Sequence, residues 1–384
     1  MQWDTWIRMA QFTWKKTVLF SLLPAVVLFG TLEGLARINE IWHPPLPVDY
    51  GWGFNPDSRL YVPGDEPGLM HTHAGKLTNF HYSEFRMPKP EGRVRIFMLG
   101  GSSVNYLRWR LNRMAVRLSQ KLDGREVEVI DAGGLSYGSH RLVPICAEVL
   151  TYEPDLLLLY SGHNEFEEMR QLQLAKPERV QVQRWLYKSA AMRFLRDRWA
   201  LTTLDRITRE HNAKVLANHN PNTLLPDAWN HDFTPEEIAE RMDKFEHNLR
   251  LMIEMCRHAG VPVIIGSVPS NYMKPALTDE DWRAYQRVIK LFDEGKHQEG
   301  YRLARDFLSN TVRHQASPEE NGIIRALAAE YGLPLADVQA AVVEAEPHGV
   351  PGETLFSDSC HLNDEGMDIL ISVYEREVAE LLGL

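Results

Sequence analysis

A chain of 384 residues, 44% hydrophobic and 24% charged, has the composition of a globular protein and not of a disordered one. Its formal net charge of −10 argues against a nucleic-acid groove, which needs clustered Lys and Arg. Three cysteines, Cys146, Cys256 and Cys360, form no CxxC pair and cannot build a disulfide framework, although one disulfide is arithmetically open to them.

The N-terminal region carries a topogenic signal. Thr17 to Ala36 reads TVLFSLLPAVVLFGTLEGLA, about twenty residues and the span of a bilayer core. Arg8, Lys15 and Lys16 precede it and only Arg37 follows closely. The positive-inside rule therefore keeps the N-terminus cytoplasmic and sends the bulk of the chain across an inner membrane. Trp3, Trp6 and Trp14 suit an interfacial aromatic belt. Pro24 is tolerated in a membrane helix, and Glu33 lies near the far end, within reach of headgroups. One rival is a cleaved signal peptide ending at Gly34-Leu35-Ala36. Another is a buried soluble helix, which an apolar character on all sides disfavours. We read residues 1–38 as a cytoplasmic tip and single-pass anchor, with the bilayer as partner through residues 17–36.

Residues 39–90 are rich in Pro, Gly and aromatics with little periodicity and read as an extended stalk wrapping onto the domain. His71, His73 and His81 fall here without carboxylate or thiol partners at ligand spacing, which favours hydrogen-bonded or surface histidines over a metal site. From residue 91 to 384 the pattern changes to short apolar runs alternating with amphipathic helices, the mark of a parallel sheet with crossover helices. Strands are expected at Val94–Leu99, Val127–Asp131, Asp155–Tyr160, Val261–Ser267 and Leu333–Asp337, Val/Ile/Leu-rich and without alternation, as suits strands covered on both faces. Helices are expected near Trp109–Leu122, Arg141–Thr151, Pro235–Ala259, Pro318–Tyr331 and Asp364–Leu382. The fold class is thus α/β, a three-layer α/β/α sandwich on a five-stranded parallel sheet. Right-handed crossovers place every C-terminal strand end on one edge. Two insertions decorate it. Residues 166–233 hold Arg-rich helical segments, and residues 278–310 have the rhythm of a single tetratricopeptide-like hairpin, a flap because one unit cannot bury its own face.

The strand ends carry the chemistry. Arg95-Ile96-Phe97-Met98-Leu99 runs into Gly100-Gly101-Ser102-Ser103, a sharp turn that displays a serine where open α/β sheets bind ligands. The second strand ends in Asp131-Ala132-Gly133-Gly134-Leu135-Ser136-Tyr137-Gly138 and the third in Tyr160-Ser161-Gly162-His163-Asn164-Glu165. Asp358-Ser359-Cys360-His361 precedes the last helix, and Asp and His three apart on a turn can share a face. Singly, each has a plainer use: Ser102 as a helix cap, Asn164 and Asp358 in turns, His361 as a surface residue. Together they are the inventory of acyl transfer: nucleophile, base with orienting carboxylate, and oxyanion donors.

This constellation resembles the SGNH hydrolase superfamily, the GDSL esterases, over residues 91–384. GGSS, EVIDAGGLSYGSHR and YEPDLLLLYSGHNEF resemble a bacterial membrane-anchored branch of it that often carries tetratricopeptide-like segments. The resemblance implies Ser102 as nucleophile, His361 as general base and Asp358 as its orienting partner. It also implies an oxyanion hole from the Ser102 backbone N–H, a backbone N–H near Ser136 and the Asn164 amide. The chain departs from the pattern in having Gly101 where Asp is usual, Ser136 where Gly is usual, and Glu165 after Asn164 where Asp is usual. The absence of G-x-S-x-G sets it apart from the α/β-hydrolase nucleophile elbow. The implied activity is hydrolysis of an acyl ester, for instance O-acetyl, on an envelope glycan, polysaccharide or lipid, with no cofactor or metal. Two alternatives stand beside it: an O-acyltransferase with the same triad, and a catalytically idle tethered scaffold whose helical insertions hold a protein partner.

Overall fold

The computed structural model describes residues 14–43, 59–77, 79–122, 125–166, 185–186, 188–199, 202, 234–311, 313, 315–352 and 354–384. Most of the expected insertion at 166–233, and the residues before Trp14, lie outside the described residues.

Five parallel strands, β4 (Val94–Gly100), β5 (Val127–Gly133), β6 (Leu156–Tyr160), β7 (Val263–Gly266) and β8 (Leu335–Ala336), form one sheet in the order β5-β4-β6-β7-β8. This is a doubly wound order, with β4 at the switch point where successive crossovers diverge to opposite sides. All seven residues of β4 and all five of β6 are buried, as continuous apolar runs covered by helices on both faces should be. β7 and β8 are shorter than the sequence suggests. Pro262 and Pro334, inside the expected runs, have no N–H to give the ladder. Each still accepts through its carbonyl, Pro262 from Leu157 N–H at 3.0 Å and Pro334 from Ile265 N–H at 3.3 Å.

The helices follow in chain order: α1 (Trp14–Trp42), α2 (Ser102–Asn105), α3 (Trp109–Lys121), α4 (Ser139–Val149), α5 (residues 190–199), α6 (Pro235–Ala259), α7 (Asp279–Asp293), α8 (His297–Ser309), α9 (Pro318–Tyr331), α10 (Val338–Ala345) and α11 (Asp364–Leu381). α4, α6 and α9 pack together, and α3, α10 and α11 form a second group. α6 and α9 begin with complete capping boxes, Thr234 with Glu237 and Ser317 with Glu320, and both close on a left-handed glycine. α7 and α8 form an antiparallel hairpin with its own small core, including Tyr285, Phe292 and Leu308. Cys146 on α4 and Cys256 on α6 meet with 3.9 Å between sulfurs as buried thiols, without a disulfide.

The segment expected as a stalk contains, from residue 59 onward, an antiparallel sheet: β1 (Tyr61–Pro63), β2 (Leu69–Thr72) and β3 (Glu84–Arg86). It belongs to the main core through Leu60, Tyr61 and Phe85. Two buried charges fasten it. Glu148 on α4 accepts from the N–H of Leu60 at 2.8 Å and of Tyr61 at 2.9 Å, and Arg95 on β4 donates to the carbonyls of Arg86 and Tyr152. Both groups are thereby hydrogen-bonded within the protein, as buried polar groups must be, and Arg95 is also paired with Glu128.

Candidate active site

β4 ends at Gly100, Gly101 occupies the N-cap position of α2 without a side-chain cap, and Ser102 is the first helical residue. Ser102 is therefore not the cap of its helix. Its Oγ lies 2.7 Å from Nε2 of His361, and Nδ1 of the same ring lies 2.7 Å from Oδ2 of Asp358. The carboxylate favours the proton on Nδ1, which leaves Nε2 to accept from the serine hydroxyl.

The loop carrying Asp358 and His361 is held from two directions. Asp358 Oδ1 accepts from the backbone N–H of Cys360 at 2.8 Å and of His361 at 2.7 Å. In the loop after β7, Asn271 donates its backbone N–H to Ser359 O at 3.0 Å and its side-chain amide to Asp358 O at 3.1 Å. Burial pushes the Asp358 carboxyl up, but the His361 ring and the two backbone N–H groups outweigh it and hold the acid well below the usual carboxylate range. Tyr106, 40% exposed, leans on the His361 ring with 4.8 Å between centroids and forms the outer wall of the site.

The second turn is positioned by Asn105 and Asn79. Asn105 Nδ2 donates to Gly133 O at 3.0 Å and to Asn79 O at 3.2 Å, and Leu135 N–H donates to Asn79 O at 2.9 Å. Within this turn Ser136 has a φ of 60°, the left-handed region that favours glycine. That is the position where the resemblance expects glycine, and Ser136 takes a conformation that glycine adopts readily.

Asn164, at the end of β6, is 3% exposed and donates one amide hydrogen to Tyr137 O at 3.2 Å. An amide carries two N–H donors, so one remains for a ligand. A Cβ built on Gly101 would lie 2.5 Å from Asn164 Nδ2. In this chain Asn164 thus occupies space that a side chain at 101 would need. Glu165 serves a neighbouring purpose. Its two carboxylate oxygens accept from the Ser139 N–H at 2.9 Å and the Ser139 hydroxyl at 2.7 Å, and Asn248 of α6 donates to Ser139 Oγ at 3.0 Å. Full burial raises the Glu165 carboxyl above its ordinary value despite the Arg241 charge and those hydrogen bonds.

His71, His73 and His81 are each engaged locally, with Thr72 O, Gly75 N–H and Arg108 Nε respectively. Among the described residues, Asp358, Cys360 and His361 are one group whose ligand atoms lie within 4.8 Å of one another. The atoms a metal would take from the acid and the imidazole are already joined by their hydrogen bond.

Sequence reasoning placed Ser102, Ser136 and Asn164 at strand ends and Asp358 and His361 just before the last helix, and in the structure Ser102, Asp358 and His361 form one hydrogen-bonded chain. It did not single out Asn105, Asn271 or Tyr106. The first two follow apolar strands by a few residues, which is the only signal that could have found them.

No protein-family model and no curated protein matches the chain. Solved structures do. A GDSL-like lipase from Bacteroides thetaiotaomicron is 13% identical over 75% of this chain and 88% of that chain, with a TM-score of 0.39. A lipase/acylhydrolase from Enterococcus faecalis is 14% identical over 75% and 96%, with a TM-score of 0.39. An acetyl xylan esterase is 15% identical over 74% and 100%, with a TM-score of 0.41.

Proposed function

We propose that this protein is a membrane-anchored serine ester hydrolase. The observation that carries the reading is the unbroken chain from Ser102 Oγ through the His361 ring to the Asp358 carboxylate, 2.7 Å at each link. In this reading Ser102 Oγ attacks the acyl carbonyl carbon as its proton passes to His361 Nε2, and the carbonyl π electrons move onto oxygen. Asp358 stabilises the imidazolium that forms. The oxyanion is met by the Ser102 backbone N–H, a backbone N–H near Ser136 and the second Asn164 N–H. His361 returns the proton to the departing alcohol, leaving an acyl-serine. Water, deprotonated by the same ring, then releases the acid and restores Ser102.

Residues Phe20–Trp42 of α1 are long and apolar enough to cross a bilayer, and almost none of that stretch is buried within the protein. With Arg8, Lys15 and Lys16 before it, this supports a cytoplasmic N-terminus and a catalytic domain outside the inner membrane. An ester borne by an envelope glycan or lipid is the substrate class within reach of such a domain. Labelling the full chain with a fluorophosphonate probe tests the reaction type. Wild type should take the label and Ser102→Ala should not; a folded wild-type protein that takes none overturns the reading.

A further inference from the structure

α5 is tied to the far end of α1. Ala190 and Ala191 pack on Ala36. Glu33, an acid inside the apolar segment, accepts from the N–H of Ala190 at 3.0 Å, the N–H of Ala191 at 3.1 Å and the Ser189 hydroxyl at 2.6 Å. A carboxylate at these otherwise orphaned N–H groups is a favourable partner for a helix start. One heptad further along α1, Glu40 receives two hydrogen bonds from Arg193, at 2.8 and 2.7 Å. The two attachments span seven residues, about 10 Å of helix axis, and hold α5 beside the last turns of the anchor.

The outward side of α5 is of a different character. Phe194, Leu195 and Trp199 are 39%, 57% and 54% exposed, and Trp185, just upstream, is 70% exposed. Leu195 and Trp199 are four residues apart, as are Phe194 and Arg198, so the four make one stripe. The Arg198 guanidinium lies over the Phe194 ring at 5.4 Å. Trp42, at the end of α1, is also 70% exposed. Large aromatic and aliphatic side chains are thus gathered at one end of a membrane-length helix, where Trp is favoured at the boundary of acyl chains and headgroups.

We propose that α5, with Trp185 just upstream, is a second membrane contact: it sits at the outer interface of the bilayer, with Phe194, Leu195 and Trp199 entering it and Arg198, within the same stripe, extending its long side chain back to the headgroups as Lys188 does. This rests on the reading of α1 as a membrane span. It gives α5 the task of holding the catalytic domain against the lipid surface.

The test uses the full chain in phosphatidylcholine/phosphatidylglycerol proteoliposomes, with a nitroxide at Leu195→Cys, at Val26→Cys in α1, or at Val116→Cys on the exposed side of α3. Cys146, Cys256 and Cys360 are buried, so the label goes to the introduced thiol. Power saturation with oxygen and with a nickel chelate should give an oxygen-to-nickel accessibility ratio at 195 several-fold above that at 116 and below that at 26. A ratio at 195 equal to that at 116, or a label shielded from both reagents, overturns the proposal while a lipid-like value at 26 keeps the anchor. A water-like value at 26 fails the anchor itself, and the proposal with it.

Discussion

Gly101→Ala probes how the site is assembled. The glycine has φ −85° and ψ −151°, an extended conformation open to alanine, so backbone strain does not enter. Space does. The new Cβ would meet Asn164 Nδ2 at 2.5 Å and Tyr137 O at 3.1 Å, against an ordinary contact of at least 3.4 Å. The amide must therefore retreat by about 1 Å, a displacement that can cost roughly 100-fold when it misplaces a group in the reaction. Losing an oxyanion donor outright costs roughly 10²–10³ in kcat, or about 2.7–4 kcal/mol. We expect Gly101→Ala to lower kcat on p-nitrophenyl acetate by roughly 10²-fold with little change in KM, which separates a lost donor from lost binding. Asn164→Ala should do the same, and the double variant should be little worse than Asn164→Ala alone, because the clashing amide is gone. The melting temperature of each variant controls for unfolding. A folded Gly101→Ala protein with wild-type kcat, or losses that simply add in the double variant, would refute the placement of Asn164 in the reaction.

Asp358→Asn preserves size and the acceptor for the Cys360 and His361 N–H groups, but it presents an amide donor to His361 Nδ1. The ring then carries its proton on Nε2 and cannot accept from Ser102, so kcat should fall on the order of 10³–10⁴-fold in the same esterase assay with the fold intact. Asp131 concerns stability. Burial raises its carboxyl to about 7, against the opposing Gly133 N–H and Arg108 charge. Below pH ~4 the folded and unfolded chains both carry this proton. Between pH ~4 and ~7 only the unfolded chain releases it, so the folded state loses stability across that window and the deficit is constant above it. Asp131→Asn should remove this contribution, gaining at most about 4 kcal/mol over wild type at pH 8 and nothing at pH 4. Denaturant unfolding of both proteins across this range measures it, and a pH-independent difference would contradict the assignment.

The parallel sheet was legible because strands covered on both faces leave uninterrupted runs such as Leu156–Tyr160, and Ser102, Ser136 and Asn164 each come within a few residues of the end of such a run. The small antiparallel sheet was not. Strands of three or four residues, such as Tyr61–Pro63, are too short to show alternation, and they are stabilised by Glu148 and Arg95, residues distant in sequence. The close approach of residue 101 to Asn164 was likewise hidden: the two lie 63 positions apart in the chain, and no local pattern encodes the contact. Glu33 looked like an acid merely tolerated near a headgroup, because its partners at Ser189, Ala190 and Ala191 lie more than 150 residues away.

The attachment of β1, β2 and β3 to the main core makes them part of the same folded unit as the parallel sheet. Starting the polypeptide at the first parallel strand would strip Glu148 of its two amide donors and Arg95 of the Arg86 carbonyl, exposing the aromatic surface that Tyr61 and Phe85 cover. It would also remove Asn79, whose carbonyl receives Asn105 and Leu135 at the second turn. The small sheet and Asn79 thus brace the turns that follow the first two parallel strands from outside, so the segment leading into the parallel sheet is part of what shapes its edge.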